Sequence, residues 1–363
     1  RYADVLPRFE AARLNSEQAG DIAALVSQAS RSAITWKSEG IERPLADHLA
    51  VSAPPLRLES HVFGGSGALS SPTATLTVAG SDLVPFTQSL VEAGLASAAA
   101  ADGSCWVEGA AVADGLDLRG RRVALLGAGA ELAPSRLLLE CGADVLWIDV
   151  TSPPDDLLSS TGLSGSVHWV PEGSDLLTEP DRIRATIEAF ADGSAIDLGL
   201  YAYAPGKTRE WRLTASMNAI VDALPTDLVR TITMLVSPTT CGVLTSADLE
   251  GEQRRLERRP GWEALLARVG AFGRGPGHVR AGDACTNRGI VPIQGTSYAA
   301  AQYFGKSIAA EMWATGTARH HVSANTAGIS RTMSMSHPVF DAAFAGAHVF
   351  GVETYEPSTT ATL

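Results

Sequence analysis

Residues 118–149 (LRGRRVALLGAGAELAPSRLLLECGADVLWID) constrain the fold of this chain more than any other segment. Residues 123–126 form an apolar run without polar alternation, which is typical of a strand covered on both faces in a parallel sheet. The turn Gly127-Ala128-Gly129 follows, and glycine there permits a tight change of direction. Residues 134–141, which begin with a proline suited to a first helical turn, are predicted to form a helix. Residues 145–148 complete a strand–turn–helix–strand unit.

Four residues of this unit are candidates for binding a dinucleotide: Gly127, Gly129, Ala133 and Asp149. The glycine turn lets the backbone come close to a pyrophosphate at the start of the helix. Asp149 ends the second strand, where its carboxylate can accept hydrogen bonds from a ribose 2′-OH and repel a 2′-phosphate. The unit therefore predicts NAD as cofactor in preference to NADP. Glu131 lies inside the turn and brings a carboxylate near the phosphates, which weakens or abolishes binding.

Composition excludes several classes of function. The chain has 363 residues and a formal net charge of −12, and it contains no run of 18 apolar residues. We therefore expect a soluble protein with no membrane span and no nucleic-acid partner, because phosphate binding needs a concentrated basic face. The four cysteines form no C-x-x-C pair, which favours a reducing intracellular compartment. The first residue is Arg1 rather than Met, which is compatible with import into a plastid or mitochondrion.

Three regions are predicted along the chain. Residues 1–116 form an extension that wraps the core, residues 117–350 a Rossmann domain, and residues 351–363 a tail. Within the extension, Asn15-x-x-Gln18 resembles a capping box for an amphipathic helix over residues 16–35. A strand over residues 75–78 and a helix over residues 83–93 are also expected.

After Asp149, strands and helices continue to alternate. Strands are predicted over residues 167–170 and 196–203, with a helix over residues 179–191 between them. This spacing is typical of βαβ units. The fold class is therefore α/β, with a doubly wound parallel sheet.

The motifs of residues 117–350 together resemble the short-chain dehydrogenase/reductase superfamily. LRGRRVALLGAGAEL resembles its opening strand and glycine turn, IDLGLYAYAPG its fourth strand and TITMLVSPTTCG the strand that carries its catalytic serine. The resemblance implies an NAD(P)-dependent oxidoreductase. It further implies these roles: Asp175 holds the adenine, Ala204 ends the turn beside the cofactor, Asn218 relays protons, Ser237 is the catalytic serine and Thr332 lies beside the nicotinamide.

The segment QGTSYAAAQYFGKSIAAEMW (residues 294–313) resembles the helix that carries the family's Tyr-x-x-x-Lys pair. One register takes Tyr298 as the tyrosine, with Gln302 in place of the lysine. A second register matches more positions; it puts Gln294 in place of the tyrosine and Tyr298 in place of the lysine, and we favour it here. Either register removes the cation that makes the tyrosine an effective acid. Lys306 is two turns beyond Tyr298, about 12 Å along an α-helix, which is too far to replace that cation.

A long insertion over about residues 243–292 precedes this helix. Residues 247–258 are predicted as a charged helix and residues 261–273 as an apolar stripe that contains Trp262 and Phe272. The stripe either packs over the substrate cleft or docks another subunit. We expect the stripe or the helix over residues 294–313 to be buried against another chain, in a homo-oligomer or a larger complex.

Two hypotheses about function follow. The first is an NAD(P)-binding oxidoreductase with remodelled acid–base residues. The second is a catalytically silent relative that serves as a structural or assembly subunit. Fold alone does not decide between them, because function depends on the residues of the site.

Overall fold

A seven-stranded, mostly parallel sheet forms the centre of the computed structural model, which describes residues 2–38, 40–65, 83–92, 96, 98–113, 115–204, 208–269, 277–316, 320–344, 352, 354–357 and 360. The strands of the described chain are β1 (Thr35–Ser38), β2 (Ile41–Pro44), β3 (Glu59–Val62), β4 (Arg122–Leu126), β5 (Asp144–Ile148), β6 (Ser166–Trp169), β7 (Ile196–Leu200), β8 (Val229–Val236), β9 (His278–Ala281), β10 (Ala284–Asn287) and β11 (His321–Thr326). In the central sheet their order is β11-β8-β7-β4-β5-β6-β3. The architecture is α/β and Rossmann-like.

The α-helices of the described parts of the chain are α1 (Tyr2–Leu14), α2 (Ala19–Ser32), α3 (Leu45–Leu49), α4 (Leu83–Glu92), α5 (Ala98–Ala113), α6 (Ser135–Glu140), α7 (Asp155–Leu158), α8 (Pro180–Ala191), α9 (Arg209–Ala223), α10 (Ser246–Glu257), α11 (Gly261–Arg268), α12 (Gly295–Ala300), α13 (Ala309–Thr315) and α14 (Pro338–Phe344). Helices such as α6, α8 and α9 flank the central sheet. A π-helix, Ala301–Ile308, joins α12 to α13. No helix in the described residues is long and apolar enough to cross a membrane.

The unbroken apolar strands of the sequence are covered on both faces, as their pattern predicts. Ala124 and Leu126 of β4 pack into one core cluster with residues of α3, α8 and α9. Val123 and Leu125 of the same strand pack into a second cluster with residues of α6 and α7. Alternate residues of one strand thus serve opposite faces, because successive side chains point to opposite sides of a sheet.

The strand order reverses between β4 and β7. From β4 the sheet grows through β5 and β6 in one direction, and through β7, β8 and β11 in the other. The carboxyl ends of the strands on either side of such a reversal leave a crevice, which is where open α/β sheets bind ligands. Gly127 makes this close approach of β4 and β7 possible: its φ is +91°, and a Cβ there would lie 2.2 Å from the backbone nitrogen of Ala202.

The sheet departs from the predicted parallel arrangement at one edge. β3, from the amino-terminal extension, pairs antiparallel with β6, whereas the other strand pairs of this sheet are parallel. β3 could not be recognised in the sequence because its residues are exposed and carry no apolar alternation. The β1–β2 and β9–β10 hairpins, α1 and α5 were also not predicted.

The capping box predicted at Asn15-x-x-Gln18 is absent. α2 begins after Gln18, and no side-chain cap hydrogen bond is formed there. Asn15 instead accepts a hydrogen bond from the backbone N–H of Asp283, at the β9–β10 turn, over 3.3 Å. Asn15 makes this tertiary contact instead of capping α2 because α1 packs beside the hairpin and brings the Asn15 side chain within hydrogen-bonding distance of it.

Several other predicted elements are found with shifted ends. α4 corresponds to the helix expected over residues 83–93, and β7 ends at Leu200 rather than residue 203. The predicted strand over residues 75–78 and the stripe residue Phe272 lie outside the described residues. In α11, Trp262 and Leu265 are exposed and do not line the cleft described below.

Candidate functional site

A cleft of about 840 Å³ opens at the carboxyl edge of the sheet, at the strand-order reversal. The turn after β4, the ends of β7 and β8, the wall from residue 293 to Lys306 and the loop after β11 line it. This volume is typical of a small-molecule site. Among the residues proposed from sequence, the lining includes Gly129, Ser237, Gln294, Tyr298 and Thr332.

Ser237 anchors a group of polar side chains at the end of β8. Its hydroxyl lies 2.8 Å from that of Thr239, and the Thr239 hydroxyl donates to Oε1 of Gln294 over 2.6 Å. The chain leaves the sheet here, so consecutive loop residues can face the cleft. Thr239 was not singled out from the sequence, although it follows the candidate serine by two residues.

Tyr298 projects from α12 into the same group. Ser237 and Thr239 hydrogen-bond its hydroxyl and act to lower its pKa, but burial is the larger effect and raises that pKa above its usual value. The Tyr203 ring meets the Tyr298 ring edge-on, with centroids 6.4 Å apart. Tyr298 therefore carries its proton at neutral pH, and it faces the position of Ser237.

Gln302 lies one turn beyond Tyr298 and is 2% exposed. Its Oε1 accepts the backbone N–H of Ser237 over 2.9 Å, and its Nε2 donates to Glu210 over 3.3 Å. Tyr298 and Gln302, which the first register puts in place of the tyrosine and the lysine, thus both contact Ser237, and the choice between the registers stays a prediction. Gln294, which takes the tyrosine's place in the register favoured above, hydrogen-bonds Thr239.

Lys306 lines the cleft wall; the prediction that it is too far along the helix from Tyr298 to replace the missing cation stays a prediction. Its Nζ donates to the carbonyl of Leu235 over 2.9 Å, and the residue lines the cleft wall with Tyr298 and Gln302. The distance argument assumed an α-helix, whereas residues 301–308 form a π-helix. π-Helical turns are rare and occur frequently at functional sites.

Glu210, in the first turn of α9, is the second buried charge of the wall. Burial raises its pKa, against the opposing charge of Lys306. Burial likewise lowers the pKa of Lys306, against the charge of Glu210. Glu210 accepts the backbone N–H of Ala204 over 2.9 Å, so the Ala204 amide, a candidate for cofactor contact, is engaged within the protein. The sequence analysis did not single out Glu210. The feature that could have indicated it is an acidic residue in the segment that follows β7.

Asn218 lies away from the cleft. It is buried on α9, and its Nδ2 donates to the carbonyl of Gly305 in the π-helix over 2.8 Å. A Cβ at Gly305 would lie 2.5 Å from the Thr214 side chain, so the two helices touch closely here. Asn218 therefore supports the π-helix rather than facing the cleft, because a π-helix leaves carbonyl groups that need other donors.

The glycine turn and the acid after β5 adjoin one another. The N–H of Gly129 donates to Oδ2 of Asp149 over 2.9 Å. The N–H of Ala133 donates to the Ala130 carbonyl, and Asp175 accepts the N–H of Leu177 over 2.8 Å. Among these residues, Gly129 and Ala130 line the cleft.

Glu131, two residues after Gly129, also lies in the cleft lining. Its carboxylate accepts the backbone N–H of Met333, the residue after Thr332, over 2.9 Å. A negative charge thus stands between the glycine turn and the loop after β11.

In the described parts of the chain, no cluster of His, Cys, Asp or Glu side chains is arranged to hold a metal ion.

A scan against protein-family models and a search of curated proteins both find no match for this chain.

Proposed function

We propose that this chain is an NAD(H)-dependent oxidoreductase of the short-chain dehydrogenase/reductase type that acts on a carbonyl or alcohol group, with a remodelled proton-donating site. The observation that carries the proposal is one cleft whose lining includes both Gly129 and the Ser237–Tyr298 pair. Two titratable residues buried in its wall, Glu210 and Lys306, support a catalytic site, because residues with shifted pKa values cluster at functional sites.

The residues around Gly129 fit a dinucleotide. A Cβ at Gly129 would lie 3.2 Å from Oδ2 of Asp149, so glycine keeps the acid beside the turn. In this proposal the Gly127–Gly129 turn and the small Ala133 admit the pyrophosphate, and Asp149 accepts hydrogen bonds from the ribose. Thr332 would lie beside the nicotinamide. When bound, NADH supplies the hydride.

Ser237 and Tyr298 would bind the carbonyl oxygen of the substrate. Reduction adds one hydride to the carbonyl carbon and one proton to its oxygen, which gives an alcohol, and the Tyr298 hydroxyl donates that proton. The raised pKa of Tyr298 keeps the phenol ready to donate but makes the resulting phenolate costly. We therefore expect slow turnover, because Gln302 stands where a cation would stabilise the phenolate.

Lys306 is the one residue of the described cleft lining that can carry a positive charge. Leu235 holds its amine on the wall, and burial lowers its pKa toward the range in which a lysine exchanges protons. In this proposal Lys306 and Glu210 form a titratable acid–base pair in the wall of the cleft. Gln302 positions Ser237 through the backbone N–H.

The test combines binding and turnover. Calorimetric titration of the full chain with NADH and NADPH should show binding, with NADH the tighter ligand. Oxidation of NADH with a generic ketone should be slow but measurable, and Tyr298→Phe should abolish it without changing NADH binding. Tyr203→Phe is the matched control and should retain turnover. Binding of neither cofactor would overturn the proposal.

The Glu131–Met333 contact favours a second candidate function. A carboxylate between two segments that would approach a dinucleotide opposes cofactor binding. In that case we propose a catalytically silent relative of the same family that serves as a structural or assembly subunit. Exposed Trp262 and Leu265 on α11 would then belong to a docking face, and a solution mass above that of one chain, lowered by Trp262→Glu, would support it.

A further inference from the structure

The described lining of the cleft contains a large apolar share beside its polar group. Large apolar side chains come from the segment before α12 and from the loop and helix after β11: Ile293, Ile329, Met333, Met335, Phe340 and Phe344. Met333 is 79% exposed and Ile293 is 43% exposed, so both present apolar surface to a ligand. Methionine side chains adapt their shape to apolar partners.

The charges of the cleft are unsuited to an anionic substrate. The charged residues in its described lining are Glu131, Glu210 and Lys306. The amine of Lys306 is already held by the Leu235 carbonyl and lies in the field of Glu210. A carboxylate or phosphate on the substrate would therefore meet two acids and an already engaged amine, and a desolvated anion without a partner is strongly disfavoured.

We propose that the substrate is an uncharged carbonyl compound, or the corresponding alcohol, that carries an extended apolar group. Its oxygen lies at Ser237 and Tyr298, and its apolar group lies along the Ile293, Met335 and Phe340 side of the cleft. This inference deepens the proposed function and rests on it for the reaction. The binding preference itself depends only on the cleft.

Equilibrium binding of a homologous series tests this preference. Straight-chain 2-alkanones from four to nine carbons are titrated into the full chain by calorimetry, with and without NADH. Each added methylene should tighten binding roughly fourfold while the apolar wall is being covered, because burial of one CH₂ contributes about 0.8 kcal/mol. Oxo acids of matched length, which end in a carboxylate, should bind at least roughly tenfold more weakly.

Two variants test whether the apolar wall of the cleft, rather than the stability of the fold, sets the dependence of binding on chain length. Met335→Asp should abolish the dependence on chain length, whereas Met335→Leu, which conserves the apolar volume, should keep it. Binding that does not change with chain length, or tighter binding of the oxo acids, would overturn the inference. If Met335→Asp does not fold, the wild-type series and Met335→Leu still decide.

The same experiment distinguishes the two proposals. Binding that depends on chain length, without alcohol formed in the presence of NADH, supports the substrate class and overturns the oxidoreductase proposal. Alcohol formed equally well from short polar ketones and long apolar ketones supports the oxidoreductase and overturns the substrate class.

Discussion

The carboxylate of Glu131 accepts the backbone N–H of Met333 at 2.9 Å and so links the turn after β4 to the loop after β11. The two residues are far apart in sequence; in the proposed function the segment of Glu131 would approach the pyrophosphate of the dinucleotide and the segment of Met333 its nicotinamide. The protein thus supplies its own anion at this position. A bound pyrophosphate would have to share the position with that charge.

Removal of the Glu131 charge should strengthen cofactor binding. We expect Glu131→Gln to bind NADH roughly tenfold more tightly, because the amide can still accept the Met333 N–H but no longer repels phosphate. Calorimetry measures the change. Glu17→Gln, at an exposed position outside the cleft lining, changes the net charge equally and should have no effect. Equal affinities for wild type and Glu131→Gln would contradict the expectation.

Asp149 should set the preference between cofactors. We expect wild type to prefer NADH, and Asp149→Asn to lower the NADH-to-NADPH affinity ratio at least roughly tenfold, because the carboxylate repels a 2′-phosphate. The asparagine oxygen can still accept the Gly129 N–H, so the turn is kept. Asp175→Asn is the control and should leave the ratio unchanged. Tighter NADPH binding by wild type would refute this assignment.

Substitutions in the α12–π-helix wall decide between the two registers. Gln302→Lys puts a cation one turn from Tyr298 and within reach of Glu210, and should raise turnover on a generic ketone by about 10- to 100-fold. Gln302→Met, which removes both hydrogen bonds of Gln302 without adding charge, should not. The double variant Gln294→Tyr with Tyr298→Lys tests the other register. A gain in the double variant alone would favour the register chosen from sequence.

A buried ionic network should hold α1 on the helix that carries the site. Arg13, 2% exposed, donates to both carboxylate oxygens of Glu10 and to both of Glu311 at 2.7–2.9 Å, and Glu10 accepts from the Tyr303 hydroxyl of the π-helix. Arg13→Met would leave the buried carboxylate of Glu10 and the half-buried carboxylate of Glu311 without their cation. We expect a loss of about 3–5 kcal/mol in the free energy of unfolding, measured in urea. Arg8→Met, at an exposed position of α1, should change it by less than about 0.5 kcal/mol.

Acid should destabilise the fold through His168. Burial lowers the pKa of this imidazole below its usual value of 6.5, so the folded state binds fewer protons than the unfolded state around that pH. The stability from neutral His168 is present above pH 6.5 and is lost as the pH falls through the lowered pKa. His168→Gln lacks this contribution, so its unfolding free energy should approach that of wild type as the pH falls. A constant difference between pH 4.5 and 8 would contradict the assignment.

Packing also bears on the expected assembly. The outward side of the helix over residues 294–313 is covered within the chain: Tyr303 and Ile308 share a core cluster with Ala23 of α2, and Phe9 and Val26 pack against it. A second copy could pair with this side only by displacing the amino-terminal helices. Association through other surfaces stays a prediction.

The sequence by itself determined the central sheet and the edge at which the site lies. The strands at residues 123–126 and 145–148 could be recognised because burial on both faces requires an unbroken apolar run. Their order along the chain implied a crevice at the carboxyl ends. Gly129 was proposed from the glycine turn after the first of these strands, whereas Ser237 and Tyr298 were proposed from the family resemblance; all three line the same cleft.

Tertiary structure alone decided which side chains face one another. Residues 301–308 form a π-helix, and the local sequence pattern does not reveal it because the same residues are also compatible with an α-helix. Asn218 lies behind the wall because α9 packs closely against Gly305. The Asn15 side chain does not cap α2 as predicted; it accepts a hydrogen bond from a hairpin more than 250 residues away. Contacts between residues distant in sequence compete with local preferences, and their strength depends on packing that a linear pattern does not contain.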